Sequence, residues 1–512
     1  MAVRAPRTLS TPAAINGAVK DICNILRRSN CAGALQYVPE LTWILFLRIL
    51  DEREEREGRE AEATGEDFAP SLNYPYRWRD WGDPAGAQRA ELTGDGSQIG
   101  DVLRFVNGDL LPHLRRLGDA EAATARQRVI AQIMSHVDRT KVDTQQNFLD
   151  IVDRVHAIST ERIDTTHVFP LSQVYEGLLL DLGEKNNDGG QFFTPREVIR
   201  AMVQAVGPKL GEVVYDPCCG TGGFLAQAVE YIRQDLGGDA TSDDLVALKT
   251  ATVYGREKDD QIYPIALANL VLHGIDEPHI WHGNTLTNQA TYDGLFQDAP
   301  ATFDVILTNP PFGGKEGEAA RSHFAYKTGA TQILFLQHVI ESLKDGGRCA
   351  MVLDEGALYR ANDTAFVQTR RKLLDECEIQ AILSLPPGVF SSVGTSGTKT
   401  SLVFFTKGGS TERVWFYDLS AIRVGKTRPL TSEHFAPFLE LYSTKADSDR
   451  SWSVDRATID ANGFNLKAID PRIAEHEADA STTEILAAMR EDYLRLGEAL
   501  EELDAAIAEP IE

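Results

Sequence analysis

Three short stretches carry residue types that chemistry at a small-molecule site needs. The first, Val213-Val214-Tyr215-Asp216-Pro217-Cys218-Cys219-Gly220-Thr221-Gly222-Gly223-Phe224-Leu225, reads as a strand entering a glycine-rich turn and then a helix. Glycines let the backbone turn sharply and approach a ligand closely, and a helix start offers unpaired N–H donors, so a small cofactor is the expected occupant. Gly220-x-Gly222-x-x-Leu225 lacks the third glycine of a dinucleotide fingerprint. Asp216, at the strand's end, is placed to accept from an ammonium group, directly or through water. Cys218 and Cys219 read as small turn residues rather than metal ligands or nucleophiles. The second stretch is Val253-Tyr254-Gly255-Arg256-Glu257-Lys258. A carboxylate directly after a strand can accept both hydroxyls of a ribose, which favours Glu257 over Asp259 and Asp260, although alone it also fits a surface acid. The third, Phe303-Asp304-Val305-Ile306-Leu307-Thr308-Asn309-Pro310-Pro311-Phe312, is a buried-type strand stopped by prolines. There the Asn309 side-chain oxygen and the Pro310 carbonyl can converge on one planar NH2 group, with the Phe312 ring available for stacking. Such acceptors suit an exocyclic amine whose lone pair must leave conjugation before it attacks an electrophile.

The elements that must hold these stretches follow from pattern. Strand candidates are Glu212 to Tyr215, Ala251 to Tyr254, Phe303 to Thr308, Arg348 to Leu353, Ile379 to Ser384 and Thr400 to Phe405. The first four are spaced by helix-length connections, the signature of a parallel, doubly wound α/β sheet with ligands at its C-terminal edge. Residues 1–165 are expected to form a helical N-terminal domain, with Ile22, Leu26 and then Leu41, Leu45, Leu50 at helical spacing. Tyr74-Pro75 to Gly100 reads as a long surface excursion inside it. Residues 166–430 are expected to be the catalytic core and 431–512 a C-terminal region. There Leu486, Met489, Tyr493, Leu496, Leu500, Leu503 and Ile507 mark a heptad seam for a partner helix.

With 43% hydrophobic and 25% charged residues over 512 positions, the chain reads as a two- or three-domain globular protein. Its formal charge of -25 argues against gripping a polyanion unaided, because such affinity comes largely from Lys and Arg displacing counterions. Residues 1–50 nevertheless carry a local balance of +4, readable as a solvated helix face or as a DNA- or partner-facing one. Six cysteines without a C-x-x-C pair speak against a zinc ribbon or disulfide scaffold, and no metal is expected. The most apolar run, Leu41 to Leu50, is too short to span a bilayer, so a cytoplasmic protein is expected.

Taken in order, Asp-Pro-x-x-Gly-x-Gly-Gly, the later acid and Asn-Pro-Pro-Phe resemble the S-adenosylmethionine-dependent DNA adenine N6 methyltransferases. Val174-Tyr175-Glu176-Gly177-Leu178-Leu179, followed by Gly190-Gln191-Phe192-Phe193-Thr194-Pro195-Arg196, resembles more narrowly the modification (M) subunits of type I restriction-modification systems. The resemblance covers most of the chain and implies a Rossmann-like methyltransferase sheet between a helical N-terminal domain and a C-terminal helical tail. It implies that Gln191, Phe192, Phe193, Thr194, Pro195 and Arg196, with Gly220, Thr221, Gly222 and Gly223, form the S-adenosylmethionine pocket. Phe193, Thr194 and Asp216 would lie near the methionine end, Glu257 would hold the ribose, and Asn309 would face both cofactor and base. Asn284, in Ile280-Trp281-His282-Gly283-Asn284-Thr285-Leu286, stands where the family usually has Asp, keeping an acceptor but losing a charge. Asn309, Pro310, Pro311 and Phe312 would form the catalytic motif receiving a flipped adenine. Implied partners are double-stranded DNA, a specificity (S) subunit that reads the sequence, a second M copy and a restriction (R) subunit. A solitary or non-type-I adenine methylase is the alternative, followed by a protein-glutamine methyltransferase or an idle scaffold.

Overall fold

Apolar spacing builds the N-terminal layer. In the computed structural model, which describes residues 12–29, 34–65, 67–157, 194–237, 240–291, 294–296, 298–390, 399–425, 428–472 and 490, helix Pro12–Arg28 buries Ile22 and Leu26. Helix Gln145–His156 buries Phe148, Ile151, Val152 and Val155, and Thr144 caps its start by accepting from the Asn147 N–H. Between them, helix Ala34–Thr64 buries Leu41, Leu45 and Leu50, matching the expected helical spacing. The stretch expected as a surface excursion behaves differently. Trp78 and Trp81 lie on a short helix, Trp78–Trp81, and are buried, with Trp81 stacked on Trp43 and Phe148 at 6.5 and 6.4 Å. The turn-forming residues around them masked two large apolar anchors, and burial of indole rings outweighs the local turn signal.

Helix Ala34–Thr64 then changes character without leaving the interior. Asp51, Glu52, Arg53 and Glu54 are all buried. Arg53 reaches Asp276 (2.9 Å) and Glu57 (2.7 Å), while Arg126 reaches the same two carboxylates at 2.9 and 2.8 Å. Asp276 precedes a strand of the sheet, so four charges fasten the helical layer to it. Burial alone would raise both carboxyls, but the two guanidiniums outweigh it and hold Glu57 and Asp276 below their usual values.

The sheet has eleven described strands: β1 Val214–Asp216, β2 Val253–Glu257, β3 His279–Asn284, β4 Gln289–Ala290, β5 Gly294–Leu295, β6 Phe303–Thr308, β7 Leu343–Asp354, β8 Cys377–Ser384, β9 Thr400–Lys407, β10 Arg413–Asp418 and β11 Ser451–Asp455. Their order is β11-β10-β8-β9-β7-β6-β1-β2-β3-β4-β5. β1 pairs in parallel with β2 on one side and β6 on the other, so chain order reverses there and a crevice opens at the strands' C-terminal ends. The first four predicted strands run parallel as expected. The sheet as a whole is mixed, because β9 lies antiparallel between β7 and β8. An apolar run buried on both faces reads the same in either direction, so Thr400–Phe405 did not reveal its polarity.

β3 escaped prediction because His279, Trp281 and His282 interrupt its apolar character. His279 and Trp281 instead stack with Tyr254 of β2 at 4.6 and 6.0 Å. The sheet also continues past residue 430. β11 pairs with β10, and helix Ser432–Tyr442 packs Phe438 against Phe404 and Trp415. Met1–Leu466 form one compact unit and Lys467–Glu512 another. The heptad seam from Leu486 to Ile507 lies outside the described residues. Among the described residues no helix is long and apolar enough to cross a membrane.

Candidate active site

The crevice is built from strand ends. β1 delivers Asp216, buried, whose Oδ1 accepts from the Cys218 N–H (3.1 Å) and from the Thr308 hydroxyl (2.7 Å). Thr308 is the last residue of β6, so this bond ties the glycine-rich turn to the strand carrying Asn-Pro-Pro-Phe. The turn needs glycine at two points: Gly220 and Gly222 sit at φ 53° and 78°, in the left-handed region. Behind it, the buried Asn269 side chain donates to the Thr221 carbonyl at 2.8 Å.

β2 delivers Glu257, also buried. Its carboxylate accepts from the backbone N–H groups of Gly220 (2.9 Å), Lys258 (2.8 Å) and Asp259 (2.8 Å). Burial pushes Glu257 up to about 7 despite those donors, with the Asp259 charge adding to the rise. Burial likewise pushes Asp216 up to about 7, opposed by the Thr308 hydroxyl and reinforced by the nearby Glu257. Among the described residues neither carboxylate forms an ion pair, so both sit where a cationic, hydroxyl-bearing ligand would relieve them.

β6 delivers Asn309. Its Nδ2 meets the Thr194 hydroxyl at 3.0 Å, and its Oδ1 is buried without a hydrogen-bond partner. A buried, unmatched acceptor beside a cavity is costly unless a ligand completes it. Next to it the Pro310 carbonyl accepts from Gln332 Nε2 at 3.3 Å, leaving its second lone pair. The half-buried Phe312 meets Phe390 edge-on at 5.3 Å. Two oxygens beside an aromatic ring are what an exocyclic amine on a planar base requires.

One cavity of about 470 Å³ joins these ends. Of the residues predicted for the site, Thr194, Asp216, Gly220, Glu257, Asn284, Asn309 and Pro311 line it. Thr221, Gly222, Gly223, Pro195, Arg196, Pro310 and Phe312 are close in sequence to the lining without forming it. Gln191, Phe192 and Phe193 lie outside the described residues. Asn284 Oδ1 accepts from the Leu286 N–H at 3.0 Å and thereby caps the turn Thr285–Thr287. The cavity adds Cys218, Arg256, Thr285, Lys315, Glu316 and Phe335, which pattern alone did not select. Arg256 is buried and has no carboxylate partner among the described residues; its guanidinium lies 4.0 Å over the Phe296 ring and donates to Asn288 at 3.2 Å.

The segment after Phe312 is tied down by hydrogen bonds of its own. The Glu316 N–H donates to the Gly329 carbonyl (2.8 Å), that of Thr331 to Gly314 (3.2 Å), and Gln337 brackets Tyr326 with two 2.9 Å bonds. Its polar, glycine-containing composition gave no sign of the buried anchors Ala320 and Phe324.

Comparisons with known proteins agree with this geometry. The N-6 DNA Methylase family matches residues 167–480, and the HsdM N-terminal domain matches residues 15–155. The chain is 33% identical over 509 residues to the Type I restriction enzyme EcoEI methylase subunit of Escherichia coli, covering 96% of each. It is 30% identical over 477 residues to the EcoKI methylase subunit of Escherichia coli strain K12, covering 89% of this chain and 79% of that one. Among solved structures, a chain from a study of assembly and conformational transition in a type I R-M system superposes with a TM-score of 0.68 at 33% identity, over 98% of this chain and 99% of that one. A modification subunit assigned to a type I restriction enzyme of Vibrio vulnificus YJ016 gives a TM-score of 0.75 at 31% identity, over 89% and 94%.

Proposed function

Because the chain belongs to the N-6 DNA methylases, as a methylase subunit of type I restriction-modification systems, we propose that it methylates N6 of adenine in double-stranded DNA, at a sequence read by a separate specificity subunit. The observation carrying this reading is the buried, unpartnered Asn309 Oδ1 beside the Pro310 carbonyl at the end of β6.

S-adenosylmethionine fits the donor set: Asp216 for the ammonium group, Glu257 for the ribose hydroxyls, and Asn284 with Thr194 along the same cavity. When bound it supplies a methyl group on a positively charged sulfur. The target adenine is flipped from the duplex at a cost of a few kcal/mol. Stacking on Phe312 offsets roughly 1–3 kcal/mol of that. Asn309 Oδ1 and Pro310 O each accept an N6 hydrogen, drawing the nitrogen out of conjugation so that its lone pair points along the transfer direction. Most of the acceleration comes from positioning and from preorganised dipoles.

The net charge of -25 fits DNA reading by a partner. The assembly would hold DNA, the specificity subunit and a second copy of this chain, with a restriction subunit where cleavage accompanies modification. The helical domain to about 165 and the heptad tail are the proposed contact regions outside the catalytic core, which begins near 166. Among the described residues no cysteine forms a disulfide, in keeping with a reducing cytoplasm.

The test is methyl transfer from labelled S-adenosylmethionine to unmethylated genomic DNA by this chain copurified with its specificity subunit. Label at adenine N6 is expected. Label on another acceptor, or tight cofactor binding with no label in DNA, would overturn the reading.

A further inference from the structure

The Pro310 carbonyl is poorly held by its own strand. β6 ends at Thr308, and neither Pro310 nor Pro311 has an N–H to tie the turn into the sheet. Among the described residues one side chain reaches that carbonyl, Gln332, which is 4% exposed on helix Thr331–Ser342. Its amide orientation is unambiguous. Oε1 accepts from the Asp354 N–H at 2.9 Å, and an N–H can donate only to the oxygen, so Nε2 must be the atom facing Pro310. Asp354 ends β7 and its own carboxylate caps helix Glu355–Tyr359 through the Ala357 N–H at 2.8 Å. Gln332 therefore bridges the Asn-Pro-Pro-Phe turn to a rigid strand end.

We propose that Gln332 is a positioning residue for methyl transfer: its amide occupies one lone pair of the Pro310 carbonyl and aims the other at the target amine. This rests on the adenine N6 reading above. Gln332 touches neither base nor cofactor; it acts through Pro310.

Two variants in the copurified complex test this. Gln332→Met keeps the length but removes both polar atoms, and should lower the single-turnover rate roughly 10- to 100-fold, as expected for a misplaced reacting group. The dissociation constant for S-adenosylmethionine should stay unchanged. Gln332→Glu still accepts from the Asp354 N–H, yet can donate to Pro310 only when protonated. Its rate relative to wild type should therefore rise as pH is lowered from about 8 to about 6, which a packing role would not produce. Wild-type rates in both variants, or a flat ratio with pH, would overturn the proposal, as would loss of cofactor affinity in step with rate. Failure of the wild-type complex to label adenine N6 would instead sink the reading beneath it.

Discussion

Two pairs of carboxylates in this chain, one half-buried and one fully buried, show opposite electrostatics. Glu57 and Asp276 are each met by Arg53 and Arg126 and held below their usual values. Asp216 and Glu257 receive N–H and hydroxyl donors but, among the described residues, no cation, and burial lifts both to about 7. The first pair is complete and holds one layer to another. The second has no ion-pair partner among the described residues, which is the expected condition of groups reserved for a cationic ligand. Burial of an acid is thus uninformative by itself; its partners separate fastening from function.

The sharpest way to break this contrast is to make the complete pair incomplete. Arg126→Met leaves two half-buried carboxylates with one guanidinium, and should reduce unfolding free energy by roughly 1–3 kcal/mol. Equilibrium denaturation checks this, and cofactor affinity at a temperature where the variant is folded should not change. An unaltered denaturation midpoint would mean that the network is ornamental.

Glu257→Ala works on the other pair. It should weaken S-adenosylmethionine binding by roughly 10- to 100-fold, the range for hydrogen bonds to a charged acceptor. A calorimetric titration with wild-type affinity would remove Glu257 from the ribose site.

A subtler distinction lies in pH. Asp216 and Glu257 have folded values above those of free carboxyls, so their contribution to stability is present at acid pH and lost as pH rises through about 7. Glu57 and Asp276 behave oppositely: their contribution is present above roughly pH 4 and lost as pH falls through their lowered values. A cationic ligand needs the ionised form of the first pair. Its affinity should fall roughly tenfold between about pH 8 and about pH 6 for each carboxyl that must ionise. Affinity independent of pH over that window would dissolve the contrast.

The site was more legible than its supports. Asp216, Glu257 and Asn309 announced themselves because each follows an apolar run that ends abruptly in glycine, charge or proline, and strand ends are where α/β crevices form. Thr308, Asn269 and Gln332 did not, because a single polar residue in a buried element has no local signature; its worth depends on which distant carbonyl or carboxylate it meets. The fold shows the same division. Parallel β1, β2, β6 and β7 could be read from apolar runs and helix-length spacing. Antiparallel β9 and the aromatic β3 could not, since direction and cross-strand stacking are long-range properties. Trp78 and Trp81 belong with them, hidden by turn-forming neighbours yet buried in the helical layer.

The central claim is that Asn309 and Pro310 receive the amine while the carboxylates of β1 and β2 receive the cofactor. The most direct test is Asn309→Ala in the copurified complex, measuring single-turnover transfer to adenine N6 alongside the S-adenosylmethionine dissociation constant. The account predicts a rate lower by roughly 10²-fold or more, as for loss of a preorganised polar contact, with cofactor affinity largely intact. An undiminished rate, or equal losses in rate and affinity, would contradict it.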